Sequence, residues 1–150
     1  MSKKLPQKIK SSIEKYMVET YGEDYCLFSN DFSQFLFVDE KCVILVADSI
    51  LVVDPATYLL NQIVSLEEHL GQFFEIHQHG TDYILYGELE IVCLSSSFEQ
   101  LWVFTGRDIL VRQDSSPAFI IAKSGITSYD WLGWRYELDF EGNLLSETLE

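Results

Sequence analysis

The residues that could do chemistry are few. His77 and His79 lie two apart, so on a strand both rings point the same way, with Glu75 beside them. Two imidazoles and a carboxylate on one face suit zinc or another divalent ion, and His69 offers a further ligand. Such a trio would support a metal-dependent hydrolase. The plainer reading is the exposed face of an amphipathic strand, with Phe74 and Ile76 turned inward. Glu88 and Glu90 also share a strand face, with Asp82 near, and paired carboxylates serve acid–base cleavage of glycosides when a cleft holds them at the right distance. Nothing local supplies such a cleft, and a solvated charged face is the better reading. No serine has a Gly-x-Ser-x-Gly setting, no cysteine has a local histidine, and no glycine-rich phosphate loop occurs. Asp48, Asp54 and Asp139 sit in turn sequences, where a short carboxylate accepts backbone N–H bonds. Tyr129, Trp131 and Trp134 cluster around Gly133; Trp134 belongs to a buried alternation, and Trp131 is the candidate for an exposed aromatic that anchors a partner or stacks on a sugar.

Charge narrows the function classes further. Residues 1–15 carry five lysines against Glu14, or +4, whereas residues 16–150 carry five basic groups against 23 acidic ones, or −18. A body so negative repels phosphate backbones and anionic membranes, and attracts basic proteins. Cys26, Cys42 and Cys93 are odd in number and widely spaced, with no Cys-x-x-Cys, which fits reduced thiols in the cytoplasm and not a zinc cage. No apolar run reaches the roughly 20 residues of a membrane helix, and Met1–Pro6 is followed by no signal-like apolar stretch.

The elements that must position these residues are mostly strands. Residues 6–21 have Ile9, Ile13, Tyr16 and Met17 on one helical face, Pro6 at the start and Gly22 at the stop. That predicts an amphipathic helix packed on its own sheet. Strands are predicted over Tyr25–Phe28, Phe35–Val38, Cys42–Val46, Ile50–Val53 and Tyr58–Val64. Ser65 followed by Glu68 has capping-box spacing and predicts a short middle helix through Phe73. Further strands are predicted at Phe74–His79, Tyr83–Tyr86, Leu89–Leu94, Leu101–Phe104, Ile109–Val111, Phe119–Ala122 and Trp134–Phe140, with a return strand from Leu144. With 47% hydrophobic residues and 150 in all, the chain predicts one domain, residues 1–150, comprising the helix (1–22) and a β-rich body (23–150).

Val43–Val64, Tyr83–Phe104 and Ser128–Leu149 share one layout, offset by 41 and 44 residues, with Asp54, Ser95 and Asp139 in one place and Leu60, Leu101 and Leu145 in another. That period suits propeller blades. The pattern Ile84…Gly87…Ile91…Leu94…Trp102-Val103-Phe104 resembles a quinoprotein-type propeller repeat, with Leu94-Ser95 where that repeat has Leu-Asp. Three such units are too few to close a ring, so the fold class expected is mainly β (α+β): an antiparallel sheet or sandwich of propeller-blade-like hairpins.

Tyr86–Ile91, Trp102–Ile109 and Asp130–Gly142 together resemble a group of small uncharacterised acidic bacterial proteins, similar in general character to toxin-immunity proteins. That group has no activity attached to it. The −18 charge of the body and the lack of a catalytic constellation predict a non-enzymatic protein without a cofactor, a cytoplasmic inhibitor or immunity protein that occludes a basic toxin such as a nuclease, and Asp82, Glu88, Glu90, Trp131 and Glu137 are the contacts expected. The alternatives are the metal-dependent hydrolase at Glu75, His77 and His79, or a sugar- or ligand-binding module at Trp131.

Overall fold

The computed structural model describes residues 4–22, 34–46 and 48–150. The protein is mainly β: the described residues form one helix and three four-stranded antiparallel sheets of propeller-blade-like form. The predicted strand Tyr25–Phe28 and residue Cys26 lie outside the described residues. The chain divides into two compact units, residues 1–68 and 69–150. No helix among the described residues is long and apolar enough to cross a membrane.

The first unit holds helix α1 (Gln7–Tyr21) and the sheet β1 (Phe35–Val38), β2 (Lys41–Val46), β3 (Ser49–Val53), β4 (Leu60–Ser65), joined in sequence order. β2 and β3 are continuous apolar runs because both their faces are buried. One face, carrying Phe35, Cys42, Ile44, Val46, Leu51 and Val53, packs against Leu5, Ile9, Ile13 and Met17 of the helical segment. The four-residue spacing of those side chains, with Tyr16 packed beside them, therefore has the expected outcome, a helix on its own sheet. The lysines stay on the solvent side, where Lys10 pairs with Glu14 at 3.9 Å and Lys8 lies 5.4 Å from the Tyr58 ring.

The second unit holds two sheets. One is β5 (Phe73–His79), β6 (Asp82–Gly87), β7 (Glu90–Leu94), β8 (Gln100–Thr105); the other is β9 (Phe119–Ala122), β10 (Gly125–Tyr129), β11 (Trp134–Leu138), β12 (Leu144–Leu149). They meet face to face across Ile84, Tyr86, Ile91, Cys93, Phe119, Ile126, Tyr136 and Leu138. Tyr86 and Phe119 stack with centroids 4.8 Å apart, and Phe104 meets Tyr136 edge-on at 5.1 Å.

Two predicted elements are corrected. The middle helix is absent: Ser65 ends β4, and residues 66–72 form a turn. Ser65 Oγ does accept an N–H, but from Glu67 and not from Glu68, so it closes a tight turn and starts no helix. The Leu70 N–H goes instead to the Glu90 carboxylate at 2.8 Å. Ile109–Val111 is not a strand. Leu110 is fully buried, but its N–H donates to Glu88 O and its carbonyl accepts the Tyr86 hydroxyl, so the segment is held by single anchors and not by a ladder.

The repeat seen in the sequence is built into all three sheets. The fourth strand carries a bulge, with Asn61, Leu101 or Leu145 as its extra residue, opposite the end of the third strand at Val52–Val53, Cys93–Leu94 or Glu137–Leu138. The next residue then closes the turn with its side-chain oxygen. Asp54 accepts from the N–H groups of Ala56 and Thr57 at 2.8 and 3.3 Å; Ser95 from Ser97 and Glu99 at 3.3 and 3.2 Å; Asp139 from Glu141 and Asn143 at 2.9 and 2.8 Å. Late in each turn one residue has positive φ: Tyr58 (63°), Phe98 (65°) or Gly142 (84°). Only a glycine fits the last, because a Cβ there would stand 2.5 Å from the Trp102 ring. The leucine alignment shifts by one: Leu60 corresponds in pairing to Gln100 and Leu144, because the first turn is a residue longer.

Candidate functional site

The same Asx-type turn occurs a fourth time, between β10 and β11, and here it is buried. Asp130 is 2% exposed. One carboxylate oxygen accepts from the Leu132 and Trp134 N–H groups at 3.0 and 2.9 Å, and the other accepts the Tyr136 hydroxyl at 2.6 Å. The Tyr136 oxygen in turn accepts from the Arg107 N–H at 2.9 Å. This network ties the connection 106–118 to the β10–β11 turn. Trp131 sits on that turn, and both its backbone groups are pinned: its N–H donates to Ile109 O at 2.9 Å and its carbonyl accepts from Gln113 at 2.5 Å. Its side chain remains 42% exposed beside Leu132, 53% exposed.

Arg112 separates two clefts at this end of the unit. The first, ≈ 390 Å³, is lined by Arg112, Asp114, Tyr129, Trp131, Leu132 and Glu150 among others. The second, ≈ 410 Å³, lies between Glu75, Tyr86 and the 111–118 segment. The Arg112 guanidinium lies over the Tyr129 ring at 4.0 Å and within 3.8 Å of the Asp114 carboxylate. Sequence reasoning passed over Arg112 and this connection. The signal available was its length, since 13 residues without regular structure between strands is unusual for a passive link.

The five expected contacts do not form one patch. Glu88 and Trp131 share an end of the unit, bridged by Ile109 and Leu110. Asp82 starts β6 at the opposite end, and Glu137 lies toward that end of β11, paired with Arg135 at 2.7 Å. Glu90 turns inward: its carboxylate is only 12% exposed, receives the Leu70 N–H, and lies 3.4 Å from His69.

The histidines do not converge. Cross-strand pairing sets Glu75 opposite Tyr86, His77 opposite Ile84 and His79 opposite Asp82, which places all three on the face turned toward β9–β12 and not on an open face. His77 bonds Glu75 at 2.8 Å and packs near Phe119, while His79 stacks on Phe140 at 3.6 Å. His69 is held by Glu90. Phe74 and Ile76 both turn inward, but the bulge between Phe73 and Glu75 sets them on opposite faces, Phe74 against Tyr86 and Ile76, 3% exposed, on the other. Among the described residues no group of three His, Cys, Asp or Glu side chains is placed to hold a metal ion.

Burial sets three protonation equilibria. It pushes Tyr136 up to about 12, helped by the hydrogen bond to Asp130, and Tyr86 up to about 12, helped by the Glu75 charge. It pushes the Cys93 thiol up to about 11, with Asp82 adding to the shift. All three hold their protons to higher pH folded than unfolded. Their contribution to stability is therefore complete below their ordinary values near 9 and 10, and is lost as pH rises through 11 to 12. Denaturant midpoints measured from pH 8 upward should fall over that range, and Tyr136→Phe should flatten the fall.

These features define a class, a β protein of blade-like sheets with an aromatic-edged cleft at one end of its second unit. Comparison with known proteins agrees at the level of the fold. No family model and no curated relative matches the chain. Among solved structures, the computationally designed Ika4 protein aligns with a TM-score of 0.58 and 16% identity, covering 77% of this chain and 70% of that one. The designed Ika8 protein aligns at 0.57 with 17% identity, and BamB from Moraxella catarrhalis at 0.50 with 13% identity, covering 77% and 80% of this chain. The chain spans 35% of the length of each of these two. Likeness at such identities shows blade-like architecture and nothing of activity.

Proposed function

We propose that this protein is a non-enzymatic acidic binding module that docks a basic protein, an inhibitor or immunity protein that occludes a cationic bacterial toxin such as a nuclease. The observation that carries this reading is how the second unit uses its charges. It has 13 acidic residues against four basic ones. Its three arginines are all engaged within the unit, Arg107 with Glu147, Arg112 with Asp114 and Arg135 with Glu137. Glu88, Glu99, Glu141 and Glu150 have no cationic partner within the unit, and neither has Asp82. A surface whose cations are matched internally and whose anions are in surplus steers a basic partner in and repels nucleic acid. Occlusion follows if those carboxylates pair with the lysines and arginines that a nuclease uses to hold phosphate. Of the contacts expected from sequence, Glu88 and Trp131 form the leading pair because they share one end, and Glu90 is set aside. The reading includes a cytoplasmic location, supported by the buried, reduced thiol of Cys93.

Titration against a panel of basic toxins and nucleases tests it. Binding should weaken by about tenfold or more as salt rises from roughly 50 to 300 mM. Absence of binding across the panel, or affinity indifferent to salt, overturns the proposal.

A further inference from the structure

We propose that the cleft beside Trp131 receives an arginine side chain of the basic partner, stacked on the exposed indole and paired with the carboxylates at the cleft mouth. This rests on the basic-partner reading and names the chemistry of its anchor. The molecule already uses this mode twice in the same unit. Arg107 lies 4.0 Å over the Trp134 ring and is held by Glu147 at 2.7 Å; Arg112 lies 4.0 Å over Tyr129 beside Asp114. Trp131 is the remaining exposed aromatic of that cluster, and its ring meets no cation and no other ring among the described residues. Asp114 and Glu150 line the cleft with it, and the one cation present, Arg112, is already matched by Asp114. The surplus is therefore negative, and an anion is disfavoured. The volume of ≈ 390 Å³ admits a planar guanidinium with the stem of its side chain and flanking backbone. Arginine is selected over lysine because a delocalised, weakly hydrated plane stacks on an indole and an ammonium does not. The two hydrogen bonds that pin the Trp131 backbone fix the point from which the indole projects before the partner arrives, which lowers the backbone ordering cost of docking.

Calorimetric titration with three peptides of equal length tests this: one with arginines, one with lysines in their place, one with neutral citrullines. The arginine peptide should bind about tenfold more tightly than the lysine peptide. Trp131→Ala should erase that preference and Trp131→Phe should keep most of it, both with unchanged melting temperature because the side chain is exposed. Equal, salt-sensitive binding of arginine and lysine peptides, or a preference that survives Trp131→Ala, overturns the arginine cleft and leaves the basic-partner reading standing. If neither charged peptide binds at any salt concentration, or the citrulline peptide binds as well as the others, both fall.

Discussion

Asp130→Ala should lower stability by about 3 kcal/mol and the melting temperature by roughly 6–12 °C. The carboxylate is buried and accepts three hydrogen bonds, from two backbone N–H groups and the Tyr136 hydroxyl. Hydrogen bonds to a charged acceptor contribute more than neutral ones, and their donors are stranded when the acceptor goes. Water can reach the Leu132 side of the turn, which keeps the loss below the sum of three such bonds. Asp130→Asn should lose less, since an amide oxygen still serves the two N–H groups. Asp139→Ala, in a turn of the same design at the exposed end of β11, should lose far less. The comparison separates turn chemistry from burial. If Asp130→Ala and Asp139→Ala melt together, the buried network is not what holds this end. Because the same network positions Trp131, Asp130→Ala should also weaken binding of a basic partner at temperatures where the protein remains folded.

In the first unit the largest effect should come from Ile13→Asp. Ile13 is 1% exposed between α1 and the sheet face carrying Cys42, Ile44, Leu51 and Val53. The substitution removes an apolar side chain from a packed site and buries a carboxylate with no cation facing it, at a cost of about 4 kcal/mol or more. Loss of helical circular dichroism with sheet signal largely retained is the expected outcome, because α1 has no basic residue in its last turn, no acidic residue in its first, and no side-chain cap to hold it alone. Ser11→Asp, on the exposed side of the same helix, should change stability by no more than about 0.5 kcal/mol. Equal effects of the two would mean that the helix does not depend on its docking.

Strand positions were legible wherever apolar runs were bounded by turn residues, as at Val43–Val53 and Tyr83–Leu94, since period and punctuation are local. The repeat was legible for the same reason: Asp54, Ser95 and Asp139 each close a turn within five residues. What failed depended on contacts distant in sequence. Ser65 and Glu68 had the spacing of a cap, but the Glu90 carboxylate, 20 residues from Leu70, takes the N–H that a helix would have used. Glu75, His77 and His79 alternated correctly, yet alternation cannot say which face is covered, and the covering residues Phe119 and Phe140 lie far along the chain. The acidic surplus was visible in composition, whereas its division between internal pairs and unmatched carboxylates, and the exclusion of Glu90, required coordinates. Arg112 was invisible because nothing local marks a guanidinium that will stack on Tyr129.

Every strand pairing among the described residues joins neighbours in sequence, from β1–β2 through β11–β12, with no crossover. Each sheet can therefore zip up hairpin by hairpin, closing only short loops, so the entropic barrier to each step is small. Acquisition of the native state should be fast for so β-rich a chain, and nearly all the slow, long-range search should be confined to bringing finished sheets together.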